Sequence, residues 1–146
     1  MISTSSVTKN SPSNLRFIQT ERPLIDETLE VVASLSEELP RLSPKYFYDS
    51  RGSELFEEIT ALPEYYLTRS EAEIFDRHLA EIAQALGSGD IIIEPGSGNC
   101  SKVRPLLTQA APSAFIPIDI AGDFLWAAAA NIALEHPNLA VTAIAA

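Results

Sequence analysis

The sequence predicts an α/β protein in which a helical N-terminal region precedes a doubly wound parallel sheet. Two observations support this fold class. Apolar residues recur at helical spacing up to residue 86, and short β-branched runs alternate with helical segments after residue 90. In addition, a glycine-rich turn follows the first β-branched run, as in βα units whose backbone approaches a ligand closely.

Three helices are predicted in the N-terminal region. Residues 24–39 place their large apolar side chains on one helical face and end at a proline. Residues 53–60 form a second helix with Ser53 as its N-cap. A third helix begins at Thr68, where Thr-Arg-Ser-Glu has the spacing of a capping box, and it ends at Gly87.

Three strands and two helices are predicted in the rest of the chain. The apolar run at 91–93 is typical of a strand that is buried on both faces of a parallel sheet. Residues 114–119 form a second strand despite an internal proline, and residues 139–145 form a third. The connecting helices are expected near 101–109 and at 122–135. This β-α-β-α-β order is the beginning of a doubly wound sheet.

Composition excludes several classes of protein. The chain has 146 residues, a formal net charge of -10 and 46% hydrophobic residues, so it is too apolar to be wholly disordered. A single cysteine cannot form a disulfide within the chain. The acidic balance argues against nucleic acid as a partner, and no apolar stretch is long enough to span a membrane. No group of His, Cys and acidic residues has the spacing of a metal site.

The first residues are polar and carry no apolar core of a secretory signal. We therefore interpret residues 1–20 as a disordered leader. The absence of a signal together with a single cysteine predicts a cytoplasmic protein.

The glycine turn and a downstream acid predict a nucleoside-containing cofactor. Gly96 and Gly98 lie between a predicted strand and helix, and Asp119 ends the next strand, where a carboxylate can bind ribose hydroxyls. Three interpretations remain open at this point: S-adenosylmethionine, a dinucleotide, or a purely structural turn with Asp119 capping the next helix. Glu94, at the end of the first of these strands, suits a ligand with a sulfonium and an amino group.

Aromatic residues concentrate in one segment, since all four tyrosines fall between 46 and 66. Adjacent tyrosines cannot all point into one core. The segment is either a packing cluster or the wall of a pocket in which phenols and ring faces bind amine or carboxylate groups.

Three motifs resemble the histidine N-alpha-methyltransferase family, whose members make trimethylhistidine (hercynine) in ergothioneine biosynthesis. They are KYFYDSRGSELF at 45–56, LPEYYLTRSE at 62–71 and EPGSG at 94–98. The resemblance extends from about Leu39 to Ala146. It implies S-adenosylmethionine as the methyl donor and L-histidine as the substrate.

The resemblance also implies roles for individual residues. Tyr48 and Tyr65 match positions that line or contact the amino acid pocket. Gly96, Lys102 and Asp119 match positions that contact the cofactor, with Asp119 binding the ribose. No residue is implied as the catalytic base.

The family resemblance implies a Rossmann-like class I methyltransferase core, here truncated after about three strands. On this interpretation, residues 21–88 contribute to the substrate pocket and residues 89–146 form the first half of the cofactor-binding domain. The full-length parent is expected to be monomeric. The alternatives are an inactive fragment or an N-methyltransferase for another amino acid, and we expect no turnover by the 146-residue chain alone.

Overall fold

The computed structural model describes residues 11–20 and 27–146, which form one parallel sheet with helices packed on it. A short 3-10 helix at Pro44–Phe47 lies between the first two α-helices. The other elements in chain order are β1 (Leu15–Gln19), α1 (Glu27–Leu35), α2 (Ser50–Thr60), α3 (Tyr66–Leu86), β2 (Ile91–Pro95), α4 (Arg104–Ala110), β3 (Ala114–Asp119), α5 (Gly122–Glu135) and β4 (Ala140–Ala145).

The sheet has the strand order β1-β4-β3-β2, and every neighbouring pair is parallel. Alternate residues of the strands, such as Ile92, Phe115 and Val141, join the buried faces of α4 and α5 in a single core. Helix α3 packs against α4 and adds partly buried side chains to the same core. The predicted α/β class with a parallel, Rossmann-like sheet is therefore confirmed.

The first strand corrects the prediction of a disordered leader up to residue 20. Residues 15–19 form β1, which pairs in parallel register with residues 141–145 of β4. Leu15 is buried and Phe17 packs against the core, so the strand has an apolar face that the leader interpretation overlooked. Within residues 11–20 and 27–146 the sheet thus has four strands instead of three. Residues 1–10 lie outside the described residues.

One side chain fixes the start of β1. The side-chain amide nitrogen (Nδ2) of Asn14 donates to the carbonyl oxygens of Ala133, His136 and Leu139, at 3.1, 3.1 and 2.8 Å. These carbonyls lie at the end of α5 and before β4, where helix carbonyls lack intrahelical partners. The backbone carbonyl of Asn14 also accepts from Val141, at 2.9 Å. Asn14 therefore joins the N-terminal strand to the last helix and the last strand.

Strand β2 differs from the prediction that both of its faces are buried. It lies at the edge of the sheet, and Ile92 is buried. Ile91 and Ile93 point to the other face and are each 58% exposed, because none of the described helices covers them.

The predicted starts of two helices are wrong. Helix α2 is capped by Asp49, whose carboxylate accepts from the Gly52 N–H at 2.6 Å, and the expected cap Ser53 is buried inside the helix. Helix α3 begins at Tyr66 without a side-chain cap, so Thr68 lies within its first turn.

Helix α1 is shorter than the predicted 24–39 helix, of which residues 24–26 lie outside the described residues. It ends at Leu35, where the Ser36 hydroxyl donates to the Val32 carbonyl, and no residue of it is buried. In β3, the pairing with β4 skips residues 116 and 117, because Pro117 has no N–H to donate. No helix in the described ranges is long and apolar enough to cross a membrane.

We predict that Asn14→Asp destabilises the chain by about 1–3 kcal/mol, since a carboxylate would face three carbonyl oxygens that lose their donor. Urea unfolding of both forms measures the difference. Asn131→Asp makes the same charge change at an exposed position of α5 and serves as the control. Equal unfolding midpoints for the two variants would contradict the role of Asn14.

Candidate functional site

A cavity of about 550 Å³ opens at the carboxyl ends of β2 and β3. Ligands of open α/β sheets bind at this edge, where loops from neighbouring strands diverge. Its walls come from the glycine loop (residues 96–102), from the β3 end and from the N-terminal helices. The lining residues are Tyr48, Ser53, Phe56, Glu57, Thr60, Thr68, Gly96, Ser97, Gly98, Asn99, Ser101, Lys102, Ile118, Asp119, Ile120, Phe124 and Ala146.

Three residues of the glycine loop have positive φ, namely Gly96, Gly98 and Cys100. Gly96 has φ +70° and Gly98 has φ +52°, a region that L side chains rarely adopt. A Cβ at either position would meet no atom within 4 Å, so the constraint is conformational and the space above the backbone is open. The N–H groups of Gly96 and Ser97 both donate to the Ile118 carbonyl, at 2.8 and 3.1 Å. The loop thus lies against the β3 end with open space at its glycines.

Asp119 joins the glycine loop to the turn that follows β3. Its Oδ2 accepts from the Gly98 N–H and its Oδ1 accepts from the Ala121 N–H, both at 2.9 Å. The cap for the next helix considered from sequence is not formed, because Ala121 precedes α5 and the helix has no side-chain cap. Because an ionised carboxylate has about four lone-pair sites, it retains acceptor capacity toward the cavity that it lines. The structural role and a ribose-binding role are therefore compatible.

Two N-terminal helices reach the glycine loop through carboxylates. The Lys102 ammonium lies 2.7 Å from a carboxylate oxygen of Glu71 on α3. The Asn99 amide donates to Glu57 on α2, at 2.9 Å. Sequence reasoning from single residues did not select Lys102, which came from the family resemblance, and it missed Glu57 and Glu71. Their role depends on how α2 and α3 pack across the loop, which no local pattern encodes.

The two predicted substrate tyrosines occupy different places. Tyr48 lines the cavity, whereas Tyr65 does not. The Tyr65 ring meets Phe56 edge-on, with 5.9 Å between ring centroids, and Phe56 lines the cavity. Substrate contact by either tyrosine stays a prediction.

Arg69 organises the turn that places Tyr65. Its guanidinium donates to the carbonyls of Leu62, at 2.8 Å, and of Pro63. These carbonyls belong to the Leu-Pro-Glu-Tyr-Tyr segment, so the arginine of the motif holds the tyrosines of the same motif. Thr68, expected as a cap, lines the cavity instead.

Glu94 ends β2 beneath the glycine loop and is half-buried. Burial raises the pKa of its carboxyl above the ordinary value of 4.5, while the Ser97 hydroxyl and the Lys102 charge oppose the shift. Its Oε2 atom is buried and has no hydrogen-bond partner among the described residues. A negative charge held in this way can attract a cationic group of a ligand.

Cys100 lies within the glycine loop and is fully buried, and burial raises the pKa of its thiol to about 12. The thiol therefore stays protonated at neutral pH and is not a nucleophile.

A family profile described as "Histidine-specific methyltransferase, SAM-dependent" matches residues 27–146. The chain belongs to this family of SAM-dependent, histidine-specific methyltransferases. The resemblance seen in the three sequence motifs is thereby confirmed. Members of the family use S-adenosylmethionine as the methyl donor, and the cavity holds the glycine loop and strand-end acid expected of such a site.

Individual related proteins support the family assignment. The histidine N-alpha-methyltransferases of Mycolicibacterium smegmatis and Mycobacterium tuberculosis are 42% and 40% identical to this chain over 119 residues. Each match covers 79% of this chain and 37% of the other protein. Ergothioneine biosynthesis protein 1 of Neurospora crassa is 48% identical over 81 residues, which are 55% of this chain and 9% of that protein. The chain thus spans just over a third of the two mycobacterial methyltransferases.

We predict that Glu94→Gln raises the free energy of unfolding at neutral pH, because it removes a charge that burial disfavours. The folded state binds the Glu94 proton more tightly than the unfolded state does. Lowering the pH toward 4.5 therefore stabilises the unmodified chain relative to the variant. The difference between their free energies of unfolding narrows as a result.

Urea unfolding at several pH values measures this effect, with Glu73→Gln on the exposed face of α3 as the control. A variant that is less stable than the unmodified chain at neutral pH, or a difference that does not change with pH, would contradict the prediction.

Proposed function

We propose that this chain binds S-adenosylmethionine at the cavity and forms part of a histidine α-N-methyltransferase that makes trimethylhistidine. The observation that carries the proposal is the cavity at the sheet edge, built from the glycine loop and Asp119. Family membership supports the choice of methyl donor and of histidine.

The charges around the cavity favour a cationic ligand. Glu57 and Asp119 line it, and the Glu94 carboxylate lies beneath the glycine loop. Lys102 is the one cation among the described lining residues, and it is already paired with Glu71. S-adenosylmethionine carries a sulfonium and an ammonium, whereas the pyrophosphate of a dinucleotide would bring two negative charges into this acidic wall.

The backbone geometry also argues against a dinucleotide. Pyrophosphates bind where a glycine turn leads directly into the N-terminus of a helix. Here residues 99–103 separate Gly98 from α4, which begins only at Arg104. The loop therefore lacks the arrangement that a phosphate requires, and a ligand without phosphate is favoured.

The residues of the cavity suit direct methyl transfer. When bound, S-adenosylmethionine supplies a methyl group on a sulfonium, and transfer to a neutral amine needs no covalent enzyme intermediate, so that orientation is the main requirement. Asp119 would hold the ribose hydroxyls, and the Glu94 charge would attract the positive end of the ligand from beneath the glycine loop. Tyr48 and Phe56 present aromatic surface in the cavity, which suits an ammonium that becomes progressively methylated.

We predict that the chain binds S-adenosylmethionine in calorimetry and binds nicotinamide dinucleotides much more weakly. Asp119→Asn is expected to weaken the S-adenosylmethionine affinity by roughly tenfold or more, since a hydrogen bond to a charged group contributes about 1.5–3 kcal/mol. Asp123→Asn, at an exposed position of α5, is the control and should leave affinity unchanged. Absence of binding, or a preference for dinucleotides, would refute the cofactor assignment.

For the amino acid, we predict that Tyr48→Phe weakens histidine binding about threefold to tenfold, because one hydrogen bond is worth about 0.5–1.5 kcal/mol. The titration uses chain saturated with S-adenosylhomocysteine. Tyr66→Phe, which does not line the cavity, is the control. Tighter binding of tryptophan than of histidine would favour another amino acid as the substrate, and an effect of the Tyr66 variant alone would reject the role of Tyr48.

A further inference from the structure

Lys102 is held at the cavity by a carboxylate from another element. A lysine ammonium on a four-carbon stem is mobile and can point into solvent. Here its position is set by Glu71, 2.7 Å away, which projects from α3. Glu71 does not itself line the cavity, whereas Thr68, one turn earlier on the same helix, does.

This ion pair contributes little to the stability of the fold. The two side chains are 53% and 44% exposed, and exposed pairs are screened by water and salt. A short contact at such a site therefore has more effect on where the ammonium lies than on whether the chain folds. Glu71 keeps the Lys102 ammonium at the cavity wall. The wall therefore has one positively charged group at this place, whereas carboxylates line other parts of it.

We infer that Glu71 is a positioning residue that places the Lys102 ammonium to bind the α-carboxylate of the amino acid end of the cofactor. The inference rests on the proposed cofactor site. The carboxylate is the one anionic group of S-adenosylmethionine, and Lys102 is the one cation among the described residues lining the cavity. Glu94, whose buried Oε2 has no partner among the described residues, lies beneath the glycine loop and does not line the cavity.

Two thioethers test this assignment directly. S-adenosylhomocysteine has the amino acid end, and 5′-methylthioadenosine has the same adenosine and sulfur without it. Glu71→Gln is expected to weaken S-adenosylhomocysteine binding by roughly fivefold, the scale of an exposed charge interaction. Binding of 5′-methylthioadenosine is expected to stay unchanged. Glu71→Asp, which keeps the charge, should recover part of the affinity.

The same substitution made in a chain without the lysine shows whether Glu71 acts through Lys102. In a Lys102→Met chain, Glu71→Gln should cause no further loss of S-adenosylhomocysteine affinity. Glu73→Gln, two residues along α3 and exposed, is the matched control. Urea unfolding of each variant reports any loss of folding.

The outcomes separate the two proposals. Equal weakening of both thioethers by Glu71→Gln, or weakening of neither, would overturn the positioning role and leave the cofactor site intact. A further loss in the Lys102→Met background would also overturn it. If the unmodified chain binds neither thioether nor S-adenosylmethionine, the cofactor site itself is refuted, and the role of Glu71 with it.

Discussion

Two hydrogen bonds to one carboxylate hold the ligand-facing edge of the sheet in place. Asp119 accepts from Gly98, in the loop after β2, and from Ala121, in the turn before α5. Each donor would otherwise need water or another acceptor, because neither N–H belongs to a strand or a helix interior. The same side chain thus sets the shape of the glycine loop and the start of the next helix. A site that depends on the loop also depends on this acid, whatever ligand the acid itself binds.

Patterns that act over short distances made much of the fold predictable. The limits of β3 and α5 agree with the predicted 114–119 and 122–135, because β-branched or apolar runs end there at turn residues. Gly96, Gly98 and Asp119 were selected from the sequence because a glycine turn and an acid at the next strand end are defined by spacing alone. The structure brings these residues together at one cavity.

Features that depend on distant partners were not predictable in this way. Residues 15–19 form a strand only because β4 lies beside them. Glu57 and Glu71 look like solvated helix positions, and their contacts with the glycine loop arise from the packing of α2 and α3. Ser53 and Thr68 match capping patterns, yet Asp49 caps α2 and α3 begins at Tyr66 without a side-chain cap. A local sequence pattern cannot decide which of two nearby side chains accepts a hydrogen bond from the backbone N–H groups at the start of a helix.

The attachment of β1 to β4 has a consequence for the order of folding. Asn14 and the carbonyl of Leu139 that it binds are separated by 125 residues, so the contact can form only after the intervening strands and helices have been synthesised. The helices that line the cavity are encoded between these two strands, and they emerge during that interval. Contacts between residues so far apart in sequence slow folding, because the intervening loop loses entropy on closing before the contact stabilises the chain. Strand β1 therefore precedes every other described element in the chain but can pair only once β4 has been made.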